Sequence, residues 1–291
     1  MTIKLFKIQG LFNSEQNESG NHYSRYTHKV FLWTSLGVVF SLLSLLFIFP
    51  KPAPATTSDV PVNVWMTTAD TDGRTVIKGL ENQQDTTFVT DVPSSDQTIQ
   101  VDENVSYQSM EGFGASMTDS AGWLLNSSGL LTTAVRDAVM AKLFDPVNGI
   151  GLSFLRNPMG ASDLARYLYT YDDNVSDATN PNLPNFSIEH DLADIAPLTL
   201  QAKIFNPNLK VMGSPWSPPA WMKSNNSLIR GSLLSQYYQH FATYFVKYIQ
   251  SYAALGIPID YISMQNEPNC CKTHPPMAYP GMNMTSSEAL T

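Results

Sequence analysis

Leu233–Pro268 reads LLSQYYQHFATYFVKYIQSYAALGIPIDYISMQNEP, and in it a helix, a stop, a strand and a polar cluster follow one another. Leu234, Tyr238, Phe241, Phe245, Tyr248, Tyr252 and Leu255 recur three or four residues apart, the spacing of one buried helical face. Gly256 and Pro258 then stop the helix, because glycine suits the left-handed residue past its end and proline cannot continue it. Tyr261-Ile262-Ser263-Met264 is a short strand-like run, and Gln265-Asn266-Glu267-Pro268 sets an amide and a carboxyl at its end.

The same texture recurs upstream. Gly112-Phe113-Gly114-Ala115 runs toward Asp119, Leu152-Ser153-Phe154-Leu155 toward Arg156-Asn157-Pro158, and Val211-Met212-Gly213-Ser214 toward Pro215-Trp216. Strands alternating with helices imply an α/β architecture with a parallel sheet, open or closed into a barrel. In either form the C-terminal strand ends converge on one face, and that face carries the active site. Four polar or aromatic clusters at equivalent strand ends therefore point to one site. Within it, Glu267 is the candidate proton donor. Pro268 is expected to hold its backbone extended, and partial burial of a carboxyl beside an amide raises its pKa toward what a general acid needs. The bland alternative, a surface Glu opening a loop, leaves the other three clusters unexplained. Arg156 has a competing role as a structural ion-pair partner and Trp216 as a core residue; Trp221 reads as packing.

Four segments together carry a resemblance: Gly112-Phe113-Gly114-Ala115-Ser116-Met117-Thr118-Asp119, Leu155-Arg156-Asn157-Pro158-Met159, Gly213 to Lys223 (GSPWSPPAWMK) and Gln265-Asn266-Glu267-Pro268. In this order and spacing they are similar to glycoside hydrolase family 30, which contains glucosylceramidases, β-1,6-glucanases and β-xylanases. Tyr169-Thr170-Tyr171-Asp172-Asp173 and Tyr279-Pro280-Gly281-Met282 tilt the resemblance toward the first two groups. It implies a (β/α)₈ TIM barrel, here truncated after about the fourth strand, and a retaining hydrolase of β-linked glucosides or glucans without a cofactor. By the matching motifs, Glu267 would be the acid/base, Asn266 would bond the sugar 2-hydroxyl, and Asp119 and Trp216 would hold other hydroxyls. Arg156 would lie near the nucleophile and keep it ionised.

The same resemblance expects the nucleophile on the seventh strand, so residues 1–291 are expected to lack it and to be inactive alone. Glu288 is no substitute, since Thr285-Ser286-Ser287-Glu288 has the pattern of a helix cap. Two other classes stay open. One is a non-catalytic, membrane-anchored carbohydrate-binding remnant keeping Asp119, Trp216 and Asn266. The other is an open doubly wound enzyme, which the absence of a GxGxxG or Walker loop opposes.

Outward from this core, 106–291 reads as the N-terminal half of the barrel domain. Residues 62–105 read as part of a β-sandwich side module, with strand-like runs at Val62–Met66, Thr86–Val89 and Thr98–Val101 and a turn at Asp72-Gly73. Residues 51–61 (KPAPATTSDVP) read as a linker. Val30–Phe49 carries no charge and is near the ~20 residues that span a bilayer. With Lys4, Lys7, Arg25 and Lys29 before it, the expectation is a signal anchor at 30–50, a cytoplasmic segment at 1–29 and an external remainder. Cleavage near Ala55, giving a secreted protein, is the alternative.

Composition bounds the rest. The formal net charge is −8, which argues against nucleic acid as a partner. Hydrophobic residues make up 43% and charged ones 14%, enough for a sizeable core. The five His show no metal-ligand spacing, so no metal is expected. The two Cys, Cys270 and Cys271, are adjacent; free thiols are the ordinary reading, a vicinal disulfide the other.

Overall fold

The computed structural model describes residues 3–8, 61–70, 73, 75–87, 102, 104–270 and 279–288. It divides into two compact units, residues 1–102 and 103–291. The Val30–Phe49 run and the predicted strand at 98–101 lie outside the described residues. Among the described residues no helix is long and apolar enough to cross a membrane.

The first unit is an antiparallel sheet built on β2 (Pro61–Ala69), which pairs with β1 (Ile3–Ile8), β3 (Val76–Asn82) and β4 (Thr86–Thr87). β2 begins at Pro61, one residue inside the stretch read as linker. Its burial does not alternate strictly: Val62 and Trp65 are the buried residues, and register shifts between Met66 and Ala69 mark an irregularity. Gly73 turns the chain toward β3 at φ 73°, donating its N–H to the Asp70 carbonyl at 3.1 Å.

The second unit is the α/β one. Four parallel strands lie in sequence order: β5 (Gly114–Ser116), β6 (Phe154–Met159), β7 (Lys210–Pro215) and β8 (Tyr261–Ile262). Between them come α1 (Asp119–Asn126), α2 (Thr133–Phe144), α3 (Glu189–Leu192), α4 (Ile195–Phe205) and α5 (Tyr238–Ala254). Thr118 and Thr132 cap α1 and α2 by accepting the N–H of Ala121 and Val135, donors that a helix start would otherwise leave unpaired. α5 ends as its sequence requires, with Gly256 at φ 80° just beyond it.

Its buried face differs in detail from the one expected. Phe241, Phe245, Tyr248 and Tyr252 are buried, but so are Tyr244 and His240, while Leu234 is 37% exposed. The apolar face is thus carried by aromatic rings, each contributing about 1.5–3 kcal/mol on burial. The Tyr248 ring lies so close to β7 that a Cβ on Gly213 would sit 2.6 Å from its Cε1. Only glycine lets helix and sheet approach this far. A second cluster joins Met140, Phe144, Leu155, Leu198 and Leu209 beneath α2 and α4.

At the centre of the α5 side sits a carboxylate. Asp191 is fully buried and accepts the phenol hydroxyls of Tyr171 and Tyr252, with that of Tyr169 at 3.4 Å. Burial raises it to about 6, because desolvation outweighs the three hydrogen bonds. These bonds fasten α3, α5 and the 169–171 segment to one atom pair.

One correction concerns the second strand. Arg156, Asn157 and Pro158 do not follow β6; they are its third to fifth residues. Pro158 faces Ser214 in the ladder, a pairing proline tolerates near a strand end, where one missing N–H costs a single bond.

Candidate active site

Because the sheet is parallel, the ends of β5 to β8 open on one face, and the candidate residues gather there. β6 delivers Arg156, whose Nη2 donates to Ser214 Oγ and to Asn266 Oδ1, each at 2.7 Å. Its guanidinium carbon lies 4.6 Å from the centre of the Trp216 ring, a cation–π contact. The Ser214 and Ser263 hydroxyls meet at 2.6 Å, tying β7 to the turn after β8. Asn266 is fixed at both ends, its N–H donating to the Pro215 carbonyl at 2.8 Å and its Oδ1 held by Arg156. The Asn266 Nδ2 points toward Glu267 Oε2 at 3.4 Å and remains a donor for a ligand.

Arg156 is therefore neither a remote ion-pair partner nor a spectator. It orients the amide next to Glu267 and stacks on the indole. Burial depresses its guanidinium, while the charges of Asp163 and Glu267 favour the cation, and an arginine stays protonated throughout. Trp216 is 5% exposed, and its indole N–H has no hydrogen-bond partner. A buried donor left unpaired is costly. Trp221 packs in the core as expected and donates its indole N–H to the Asp172 carbonyl at 2.8 Å.

Glu267 departs from two expectations. Its carboxyl is exposed rather than partly buried. Its backbone is not extended but left-handed, at φ 40°, with Asn269 at φ 66°. The tight turn that brings Asn266 N–H back onto β7 overrides the preference that Pro268 imposes. A non-glycine residue held there costs on the order of 1–3 kcal/mol and is characteristic of functional sites.

Asp119 stands apart from this cluster in its contacts. It is 3% exposed and opens α1. Its Oδ2 accepts the Arg166 N–H at 2.8 Å and Nε at 2.9 Å, while Oδ1 accepts Arg166 Nη2 and His190 Nε2, both at 2.8 Å. Burial alone would raise this carboxyl, but the Arg166 and His190 hydrogen bonds together pull it down to about 2. Both oxygens are thus engaged inside the protein, and any sugar hydroxyl must share them.

A group whose folded pKa is depressed stabilises the protein above its unfolded pKa, roughly 3.9, and ceases to do so as pH falls through the folded one. Asp119→Asn is therefore expected to lower stability by a constant amount between pH 5 and 7, with the difference closing as pH falls from about 4 to 2. Urea melts across that range check it; a gap independent of pH down to 2 would refute the ion-pair account.

Sequence reasoning missed Arg166 and His190, since neither lies at a strand end. It also missed Lys223. This side chain is 3% exposed and donates to Ser217 Oγ at 2.8 Å, the Leu228 carbonyl at 2.9 Å and the Gly281 carbonyl at 2.7 Å. With no carboxylate among these partners, burial lowers the ammonium to about 7. The three bonds join the loop after β7 to the segment around Gly281, where Gly281 N–H also donates to the Leu228 carbonyl at 2.9 Å.

The ordinary reading of a free thiol does not hold for Cys270, which is disulfide-bonded. Its Sγ also lies 3.0 Å from the Tyr279 hydroxyl. Glu288 behaves as a cap: its Oε2 accepts the N–H and Oγ1 of Thr285, and its own N–H donates back to Thr285 Oγ1 at 3.2 Å. Among the described residues no group of three or more His, Cys, Asp and Glu could hold a metal ion.

Known proteins share this arrangement of sequence and fold. The family model described as "Glycosyl hydrolase family 30 TIM-barrel domain" matches residues 110–284, more than half of the chain. Endo-1,6-beta-D-glucanase neg1 of Aspergillus fumigatus is 39% identical over 196 residues, covering 60% of this chain and 39% of its own length. Lysosomal acid glucosylceramidase of Mus musculus is 33% identical over 169 residues, covering 56% of this chain and 32% of its own length. The solved structure of the endo-beta1,6-glucanase BT3312 aligns with a TM-score of 0.56 at 32% identity, covering 65% of this chain and 40% of that one. The chain thus spans well under half the length of each of these relatives.

Proposed function

The chain belongs to glycosyl hydrolase family 30, and from that premise we propose that it hydrolyses β-glucosidic bonds with retention, Glu267 serving as acid and then as base. The observation that carries this is the Arg156–Asn266 bond at 2.7 Å. It turns the Asn266 amide so that its Nδ2 lies beside the Glu267 carboxyl, the arrangement needed to grip a sugar 2-hydroxyl while the neighbouring carboxyl protonates the leaving oxygen. Trp216, whose ring lies 4.6 Å from the Arg156 guanidinium, would supply a second sugar contact by the family motif. Asp119 supplies a third by sharing an oxygen with Arg166.

Retention requires two carboxyl groups ~5–5.5 Å apart. We take the four parallel strands as the first half of an eight-stranded barrel and place the nucleophile on a later strand, outside these 291 residues. The antiparallel sheet built on Pro61–Ala69 belongs, in this reading, to a β-sandwich module. The substrate we favour is β-1,6-linked glucan. Support comes from the activity named for the Aspergillus fumigatus relative, the more similar of the two curated ones, and for BT3312.

The test is stereochemical. Incubating the intact protein, as its source produces it, with β-1,6-gluco-oligosaccharides and following the products by proton NMR should show the β-anomer first. The α-anomer appearing first would refute retention. Sugar binding without hydrolysis of oligosaccharide or of 4-nitrophenyl β-glucoside would favour a carbohydrate-binding remnant instead.

A further inference from the structure

Asn-X-Ser or Asn-X-Thr, with X other than proline, is the acceptor pattern for N-linked sugar on exported proteins. In the α/β unit it begins at Asn104, Asn126, Asn174, Asn185, Asn225 and Asn283. The pattern alone is common and decides nothing. The fold separates these positions, because a sugar must replace one hydrogen of the side-chain amide and needs open solvent beyond it.

Asn126 and Asn185 each use both amide hydrogens inside the protein. Asn126 donates to the Ala193 carbonyl at 2.8 Å and to Asp194 Oδ1 at 3.3 Å; Asn185 donates to Ser176 Oγ at 3.2 Å and to Asp177 Oδ1. Asn225 donates to the Ile229 carbonyl at 2.9 Å. Asn283 is half-buried, and Asn104 lies at the junction of the two units.

Asn174 is different. Residues 173–176 are exposed, while Tyr171 and Asp172 before them and Asp177 after them are buried, so the chain bends outward at this point and is anchored on both sides. Asp177 accepts the Asn185 N–H at 2.9 Å, which fixes the 3₁₀ turn Val175–Thr179. The Asn174 Oδ1 accepts the Ser176 N–H at 3.0 Å, a side-chain-closed turn. That bond uses the oxygen of the amide, and its Nδ2 has no acceptor among the described residues. Val175, the middle residue of the pattern, is 68% exposed.

We propose that Asn174 is a glycosylation site, its amide nitrogen carrying an N-linked oligosaccharide. The inference goes beyond the hydrolase reading and rests on the export expected from Val30–Phe49, which would bring the α/β unit to the compartment where such sugars are added. The co-reactant is an oligosaccharide joined to a lipid through pyrophosphate. Asn174 Nδ2 loses one proton and bonds C1 of the first sugar. The bond from C1 to the pyrophosphate oxygen breaks, and the lipid pyrophosphate leaves with its electrons.

The folded turn accepts this change without loss. Oδ1 keeps the Ser176 N–H, one amide hydrogen remains, and the first sugar lies beside Val175, where it takes apolar surface out of water. At Asn126 the same change would break a bond to residues 193–194. It would also crowd Arg136, whose Nη1 donates to Asn126 Oδ1 at 2.8 Å. Asn126 is therefore the contrasting position, equal in sequence pattern and opposite in surroundings.

The experiment is site mapping on the intact protein as its source produces it. Peptide N-glycosidase acting in heavy-oxygen water, on denatured protein, removes the sugar and leaves an isotopically labelled Asp at each occupied Asn. Peptide mass spectrometry should find labelled Asp at 174 in the majority of molecules and unlabelled Asn at 126. Asn174→Gln, expressed in the same source, should migrate faster than wild type by one glycan, and the glycosidase should abolish that difference. Unlabelled Asn174 would overturn the proposal, whatever the state of the other positions. So would greater labelling at 126 than at 174, since the surroundings of the two amides would then not decide occupancy. Neither result depends on hydrolase activity.

Discussion

Glu267→Gln is expected to lower turnover of β-1,6-gluco-oligosaccharides by roughly 10²- to 10⁴-fold, the range that a positioned general acid contributes. Glutamine keeps the size of the side chain and the Asn266 contact but has no proton to give a sugar alkoxide. The loss on 4-nitrophenyl β-glucoside should be much smaller at the first step, because nitrophenolate leaves without protonation. Deglycosylation then becomes limiting, since the variant also lacks the base that activates water. In Glu267→Ala, added azide should accelerate the aryl glucoside reaction and yield β-glucosyl azide, the small anion entering the space the carboxyl vacates. Equal losses on both substrates, with no azide product, would mean that Glu267 is not the acid/base.

The second large effect is on stability. Lys223→Met removes the donor that the carbonyls of Leu228 and Gly281 and the Ser217 hydroxyl share. The Leu228 carbonyl keeps the Gly281 N–H, so the main cost is the part-buried Gly281 carbonyl, about 1–3 kcal/mol for an acceptor left unpaired, and relief from burying an ammonium without a counter-charge offsets part of this. A net loss of about 1–2 kcal/mol at pH 7 is expected by urea denaturation.

The pH dependence has a defined sign. The ammonium lies at about 7 in the folded protein and near 10.4 unfolded. The folded state therefore binds fewer protons between these values, and wild-type stability falls as pH falls from 10 toward 7. The gap to Lys223→Met, which has no such titration, should narrow over the same interval and level off below it. A gap that widens as pH falls would contradict the burial of the charge.

Much of this was legible in the residues. Helix α5 and its stop were readable because aromatic spacing and a glycine are local signals, and the four strand-end clusters were readable because a parallel sheet converts strand order into spatial order. The partners of Asp119 were not. Arg166 lies in a loop that the Ser120 N–H ties to α1 through the Leu164 carbonyl at 3.1 Å, and His190 lies in a one-turn helix; only tertiary packing brings them to Asp119. The backbone of Glu267 was misjudged for a related reason. A local preference, the effect of proline on the residue before it, yielded to the longer-range bond from Asn266 N–H to the Pro215 carbonyl at 2.8 Å. Lys223 was hidden because a lysine in sequence reads as solvent-facing, and only three converging acceptors reveal otherwise.

The left-handed backbone at Glu267 has a consequence for how this protein could change over generations. Glycine would occupy φ 40° without penalty, so Glu267→Gly removes the strain at the moment it removes the proposed acid. Selection for heat tolerance alone would reward that substitution by on the order of 1–3 kcal/mol. Selection for turnover opposes it. A lineage released from the need to cut its substrate would be drawn toward glycine at this position, and a homologue carrying one there would be recognisable as having abandoned catalysis while keeping its fold.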